Sequence, residues 1–333
     1  MKRYNILSAA LAAALMLTSC GGSKDSGSES EPAASKKTAP AVTAETEPPV
    51  TLELDSGAEP INKPAEKVER EPIAEAYRSG DSSALSDKQL QVLKAAEKLL
   101  NRTVTEDMSP VEKELAIHDR LLIELRYDDG NLNVFGDHFP HAADIYGGLI
   151  EHSVICSGYA ETFALMMDMV GIESTVVYGQ NRKGNDHAWD LVKLDGEWYA
   201  VDPTWDDLDD DLVLNHEYFN ITDEVSYDLG HRWEKRDYPA STGRKYSYSV
   251  LCAQEAASYE ETVTIVRSNF DRRIYEASVK ASGEPAEFLR QAMNVISMER
   301  IELAADIGLL SIGIGDMRED IYEGESYFYI ELK

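Results

Sequence analysis

The stretch 153-SVICSGYAETFALMMDMVG-171 places one cysteine between β-branched residues and a Ser-Gly pair, directly ahead of a run with helical spacing. Tyr159, Phe163, Met166, Met167 and Val170 recur at 3.6-type intervals and Gly171 supplies a stop, which predicts an amphipathic helix with Cys156 at its first turn. At a helix N-terminus the unpaired N–H groups and the positive end of the macrodipole favour thiolate over thiol, making the sulfur a nucleophile near neutral pH. That chemistry needs a base.

Downstream, 173-ESTVVYG-179 reads as a strand, 180-QNRKGN-185 as a turn, and 186-DHAWDLVKLDGEWYAVDPTWDD-207 as two strands joined at Asp195-Gly196, the dipeptide of a type I′ hairpin. With those two residues as the loop, Leu194 pairs with Glu197, Trp189 falls opposite Asp202 and His187 opposite Thr204. His187 and Asp202 are then diagonal neighbours on one face, within reach of a side-chain hydrogen bond, whereas a one-residue slip would part them. A thiol, an imidazole and a carboxylate that fixes the imidazole tautomer are the parts of covalent acyl transfer. Cys156 is the expected nucleophile, His187 the base and Asp202 the orienting acid.

Upstream, 85-LSDKQLQVLKAAEKLL-100 has helical spacing at Leu90, Leu93, Ala96, Leu99 and Leu100, and Ser109-Pro110-Val111-Glu112 is a capping box opening a second helix. His118 and Asp119 in that helix are read as scaffold.

The chain begins with Lys2 and Arg3, an apolar stretch from Ile6 to Leu17, and Leu17-Thr18-Ser19-Cys20. The stretch is too short for a stable membrane span and reads as a secretory signal over residues 1–20. Its ending resembles the bacterial lipoprotein processing site, at which Cys20 becomes the acylated first residue. Residues 21–72 are rich in Ser, Gly, Glu, Thr, Ala and Pro and nearly lack aromatics, so they are expected to form a disordered tether with a reach of about 40 Å. A formal net charge of −29 argues against nucleic-acid partners and against electrostatic binding to anionic lipid. Of three cysteines, one is assigned to acylation, leaving Cys156 and Cys252, for which a disulfide is the structural alternative in an exported protein.

Three segments together, 154-VICSGYAETFALMMDMVGIESTVVYG-179, 184-GNDHAWDLVKLDGEWYAVDPTWDD-207 and 217-EYFNITDEVSYDLGHRW-233, resemble the transglutaminase-like superfamily of papain-fold cysteine enzymes, in its bacterial lipoprotein branch. The upstream 115-LAIHDRLLIELRYDDG-130 resembles the helix that precedes the active site there, and the likeness covers about Leu85 to Trp233. It implies the same roles for Cys156, His187 and Asp202. One departure is Val154, where the family usually has glycine two residues before the cysteine.

The fold expected is α+β: a papain-like, transglutaminase-like core over 73–250, with the nucleophile at a helix N-terminus packed on an antiparallel sheet, and a small α+β unit over 251–333. In that tail, 262-TVTIVRS-268, 274-IYEASVKA-281, 309-LLSIGIGD-316 and 325-ESYFYIEL-332 read as strands, with a helix over about 284–298. Trp189, Trp205 and Tyr159 are the candidate substrate contacts, a core role being the alternative for the tryptophans. The run 206-DDLDDDL-212 lacks the periodicity and central glycine of an EF-hand loop and is read as a solvated acidic loop, with calcium binding left as an open alternative. No cofactor and no metal are expected. The reading is a lipid-anchored extracytoplasmic thiol enzyme acting on peptide or protein amide bonds, associated with the cell wall, through a thioester resolved by water or an amine. The alternative is a non-catalytic binding or scaffold lipoprotein on the same fold.

Overall fold

The computed structural model describes residues 66–130, 139–208, 213–296 and 314–332. The leader, Cys20 and the tether up to residue 65 lie outside the described residues, as do 209–212 of the acidic run and 309–313 of one expected strand. All described residues fall within one unit, Pro64–Lys333. No helix among them is long and apolar enough to cross a membrane.

Three helices lead in: α1 (Glu71–Ser79), α2 (Asp87–Thr103) and α3 (Pro110–Glu124). α2 and α3 both begin with complete capping boxes, Ser86 with Gln89 and Ser109 with Glu112, the second with Pro110 at its first position. The chain is already ordered before α1, earlier than the composition suggests. Val68 is buried, its N–H donates to Asp144 Oδ2 (3.1 Å), and Lys67 and Arg70 pair with Glu161 and Asp168 (2.8 and 3.1 Å). Ionic partners on the central helix thus hold this segment ahead of α1.

A two-residue parallel pair, β1 (Arg126–Tyr127) with β2 (Ser153–Val154), delivers the chain into α4 (Cys156–Val170). The expected helix is present and ends at Gly171 in a left-handed conformation (φ 78°). It is not amphipathic, however. Tyr159 through Met167 are all buried, because α1, α3 and the sheet surround it. Val154, where the family usually has glycine, is fully buried in β2. The glycine that is needed lies further on, since a Cβ on Gly158 would sit 2.3 Å from Ala142 O and 2.6 Å from Val154 Cγ1. Without a side chain there, the segment before Cys156 lies directly on the first helical turn, where Ile155 N–H donates to Ala142 O (2.9 Å).

The central sheet is antiparallel, β3 (Ser174–Gln180), β4 (Asp186–Leu194) and β5 (Glu197–Val201), in the order β3-β4-β5. Asp195 (φ 50°) and Gly196 (φ 87°) form the loop with the register expected, from Leu194↔Glu197 to Asp190↔Val201. The ladder stops one residue before Asp202, since Pro203 has no N–H to continue it. Instead Asp202 caps the short helix α5 (Pro203–Asp206).

After α6 (Asp223–Leu229) and α7 (Tyr248–Leu251) comes a second sheet, β6 (Gln254–Ala256), β7 (Glu276–Ala281), β8 (Ile314–Tyr322) and β9 (Glu325–Leu332), in the order β6-β7-β9-β8. Helices α8 (Tyr259–Asp271) and α9 (Glu284–Ile296) pack on it around Val266, Val279, Leu289, Phe328 and Ile330. The run 262–268, expected to be a strand for its β-branched residues, is helical. Ser258 caps it by accepting from Glu261 N–H, and Thr262, Val266 and Asn269 form one buried face, so packing overrides local propensity.

Candidate active site

Cys156 is the first residue of α4, and Ile155 before it provides no side-chain cap. Gly158 and Tyr159 N–H both donate to Ile155 O, so the N–H groups at the open start of the helix are those of Cys156 and Ser157. Cys156 and Cys252 are both free thiols. Burial pushes the Cys252 thiol up to about 12, which makes it inert near neutral pH.

His187, at the start of β4, reaches both expected partners. Its Nε2 donates to Asp202 Oδ2 at 2.6 Å, and Cys156 lies near enough to the ring to raise its pKa, Nδ1 being the nitrogen not taken by Asp202. Burial opposes charge on this ring, yet the Asp202 carboxylate and then Cys156 outweigh it and push the His187 pKa up to about 9. Asp202 is 1% exposed. Burial would raise its pKa, but His187 and His231 hold the carboxyl well below the usual carboxylate range.

His231 was not singled out by sequence. It follows the Leu229-Gly230 end of α6, donates from Nε2 to Asp202 Oδ2 (2.9 Å), and its Nδ1 accepts from Ser226 Oγ (3.0 Å). Burial lowers its pKa, so the ring stays neutral and fixed in one tautomer. Both imidazoles stack on Trp205, with centroids at 4.3 Å for His187 and 4.1 Å for His231. Of the three aromatics expected at the cleft, Trp205 alone keeps partial exposure. Trp189 (1%) and Tyr159 (0%) are core side chains, so neither can touch a substrate. Tyr127 is 40% exposed, and partial burial followed by the charge of Cys156 raises its pKa, leaving a protonated hydroxyl near the sulfur.

The acidic run is not a solvated loop at its start. Asp206 is fully buried, accepting from His118 Nε2 (3.1 Å) and Tyr218 N–H (3.0 Å), and Asp207 accepts from the Tyr159 hydroxyl. His118 and Asp119, read as scaffold, belong to the same buried network. Two groups among the described residues bring ligand-type atoms within 4.8 Å of one another: His187 with Asp202 and His231, and His118 with Asp119 and His216.

The His187–Asp202 pair links stability to pH. The folded-state pKa of His187, about 9, lies above the unfolded value of about 6.5, so its contribution is complete below about 6.5 and is lost as pH rises through about 9. Melting curves should show the wild type most stabilised over His187→Gln at about pH 6, with the gap closing by about pH 10. A gap that widens with rising pH would contradict the assignment.

Residues 97–203 match the transglutaminase-like superfamily. Kyphoscoliosis peptidase of Mus musculus and that of Homo sapiens are each 38% identical to this chain over 61 residues, covering 15% of this chain and 9% of theirs. The matched region is thus under a tenth of the length of those relatives. A solved structure of a TGase is similar at 20% identity and a TM-score of 0.31, covering 39% of this chain and 36% of its own. Residues 97–203, about a third of the chain, are thus similar to the transglutaminase-like superfamily.

Proposed function

We propose that this protein is a thiol enzyme acting on peptide or protein amide bonds, with Cys156 as nucleophile, His187 as the proton carrier and Asp202 as its orienting carboxylate. The observation that carries the reading is that one imidazole, His187, is held by a buried carboxylate and lies beside Cys156. The thiol proton resides on His187, which stands as an imidazolium beside the sulfur, and the sulfur attacks the substrate carbonyl carbon. Charge that develops on the carbonyl oxygen meets the backbone N–H of Cys156 at the open end of α4. The tetrahedral species collapses as the C–N bond breaks and His187 returns the proton to the leaving amine, giving a thioester on Cys156. Water then yields the acid, or a primary amine yields a new amide. Both outcomes share every step up to the thioester.

We further propose that the protein works outside the cytoplasm, held to the bacterial membrane by lipid on Cys20, on substrates associated with the cell wall. The leader composition and the Leu-Thr-Ser-Cys ending support this reading. The native protein should partition into detergent, and Cys20→Ser should stay aqueous or keep its leader uncut. A native mature chain that begins elsewhere without lipid would overturn the anchor.

Asp202→Asn tests the catalytic reading. An amide nitrogen cannot accept from His187 and His231, so the ring loses both its tautomer and the charge that stabilises imidazolium. Turnover should fall by a factor on the order of 10² or more with the fold retained. Mass spectrometry of the wild type with candidate peptides and a primary amine should show an acyl adduct on Cys156 that is absent in Cys156→Ser. Full turnover in Asp202→Asn, or adducts that survive Cys156→Ser, would refute the reading.

A further inference from the structure

Behind the catalytic pair, two histidines meet one carboxylate and are each backed by another. His118 Nδ1 and His216 Nε2 both point at Asp119 Oδ1, at 3.3 and 2.8 Å. Their outer nitrogens are held by other carboxylates, His118 Nε2 by Asp206 Oδ2 (3.1 Å) and His216 Nδ1 by Glu276 Oε1 (2.6 Å). His118 is fully buried, His216 is 3% exposed and Asp119 8%. Tyr248 stacks flat on His216 at 4.0 Å and fixes its ring plane.

We propose that His118 Nδ1, His216 Nε2 and Asp119 Oδ1 form a structural site for a divalent transition metal, zinc being the best match. Three features carry this. The ligand set is two imidazoles and a carboxylate, which suits zinc. Each histidine has its second ring nitrogen on a carboxylate, the outer-shell arrangement that orients zinc-binding imidazoles. Ligand atoms around a tetrahedral zinc lie about 3.3 Å apart; here Asp119 Oδ1 stands 3.3 Å from His118 Nδ1 and 2.8 Å from His216 Nε2, and all three lie within 4.8 Å of one another.

Charge agrees. Asp119, Asp206 and Glu276 together present three carboxylates to two imidazoles, a set that suits a cation. The ligands come from α3 and from the segment before Phe219, and Glu276 is the first residue of β7. The metal would therefore clamp the second sheet to the helix behind the active site, without touching the substrate.

The full-length protein is to be equilibrated with zinc chloride, passed into metal-free buffer and measured for zinc per chain. We expect about one equivalent in the wild type and in Asp202→Asn, and less than about a tenth in Asp119→Asn. No retained zinc in the wild type would overturn the proposal, as would full retention in Asp119→Asn or loss in Asp202→Asn. Two readouts on the wild type stand even if Asp119→Asn does not fold. Zinc-edge X-ray absorption should show imidazole and oxygen neighbours with no sulfur, and zinc should leave the alkylation rate of Cys156 unchanged. A sulfur neighbour, or alkylation slowed by zinc, would place the metal at the catalytic pair and refute the assignment.

Discussion

One buried carboxylate, Asp202, accepts four hydrogen bonds: from Nε2 of His187, from Nε2 of His231, and from the N–H groups of Thr204 and Trp205. That is about the full acceptor capacity of an ionised carboxyl group. A charge this deeply buried is tolerable only when its partners are in place, so its burial dictates where they sit. Two of the four donors start a helix, one is the proposed base, and the fourth is a neutral imidazole that has no other evident task. The demands of one charge thus join the end of a strand, a helix start and the segment after α6.

The local rules of the chain supply the pieces separately. The Asp195-Gly196 turn fixes the register of β4 and β5, and Pro203 ends the ladder so that Asp202 turns inward at the point where His187 arrives. The missing side chain of Gly158 lets the Cys156 segment lie on its own helix, which brings the sulfur to the other side of the same imidazole. Trp205 covers both histidines on one face and keeps water from that side of the pair. Burial then acts in two directions: it strengthens the pairing of charges that have partners and holds His231 neutral.

The parts of this arrangement legible in the sequence are those set by short-range rules. Helical spacing located α2 and α4, a capping box located α3, and turn chemistry placed His187 beside Asp202. What the sequence concealed depends on distant contacts. His231 lies in an irregular segment with no periodicity to mark it. Asp206 looks like one more solvated acid until His118, 88 residues away, is seen to donate to it. Trp189 shares a strand face with His187 but is covered by His231 and Trp233, and Tyr159 lies on a helix enclosed on all sides, so both belong to the core. The run 262–268 departs from its local preference in the same way: its β-branched composition favours a strand, and its packing on the second sheet makes it a helix.

The central claim is that Asp202 keeps His187 doubly protonated beside Cys156. Nitrogen-15 NMR of the His187 ring reads this directly. At neutral pH both ring nitrogens should carry protons in the wild type, and the ring should become neutral only as pH rises through about 9. In Asp202→Asn the ring should already be neutral at neutral pH. A His187 ring that is singly protonated at neutral pH in the wild type, or unchanged by Asp202→Asn, would contradict the account.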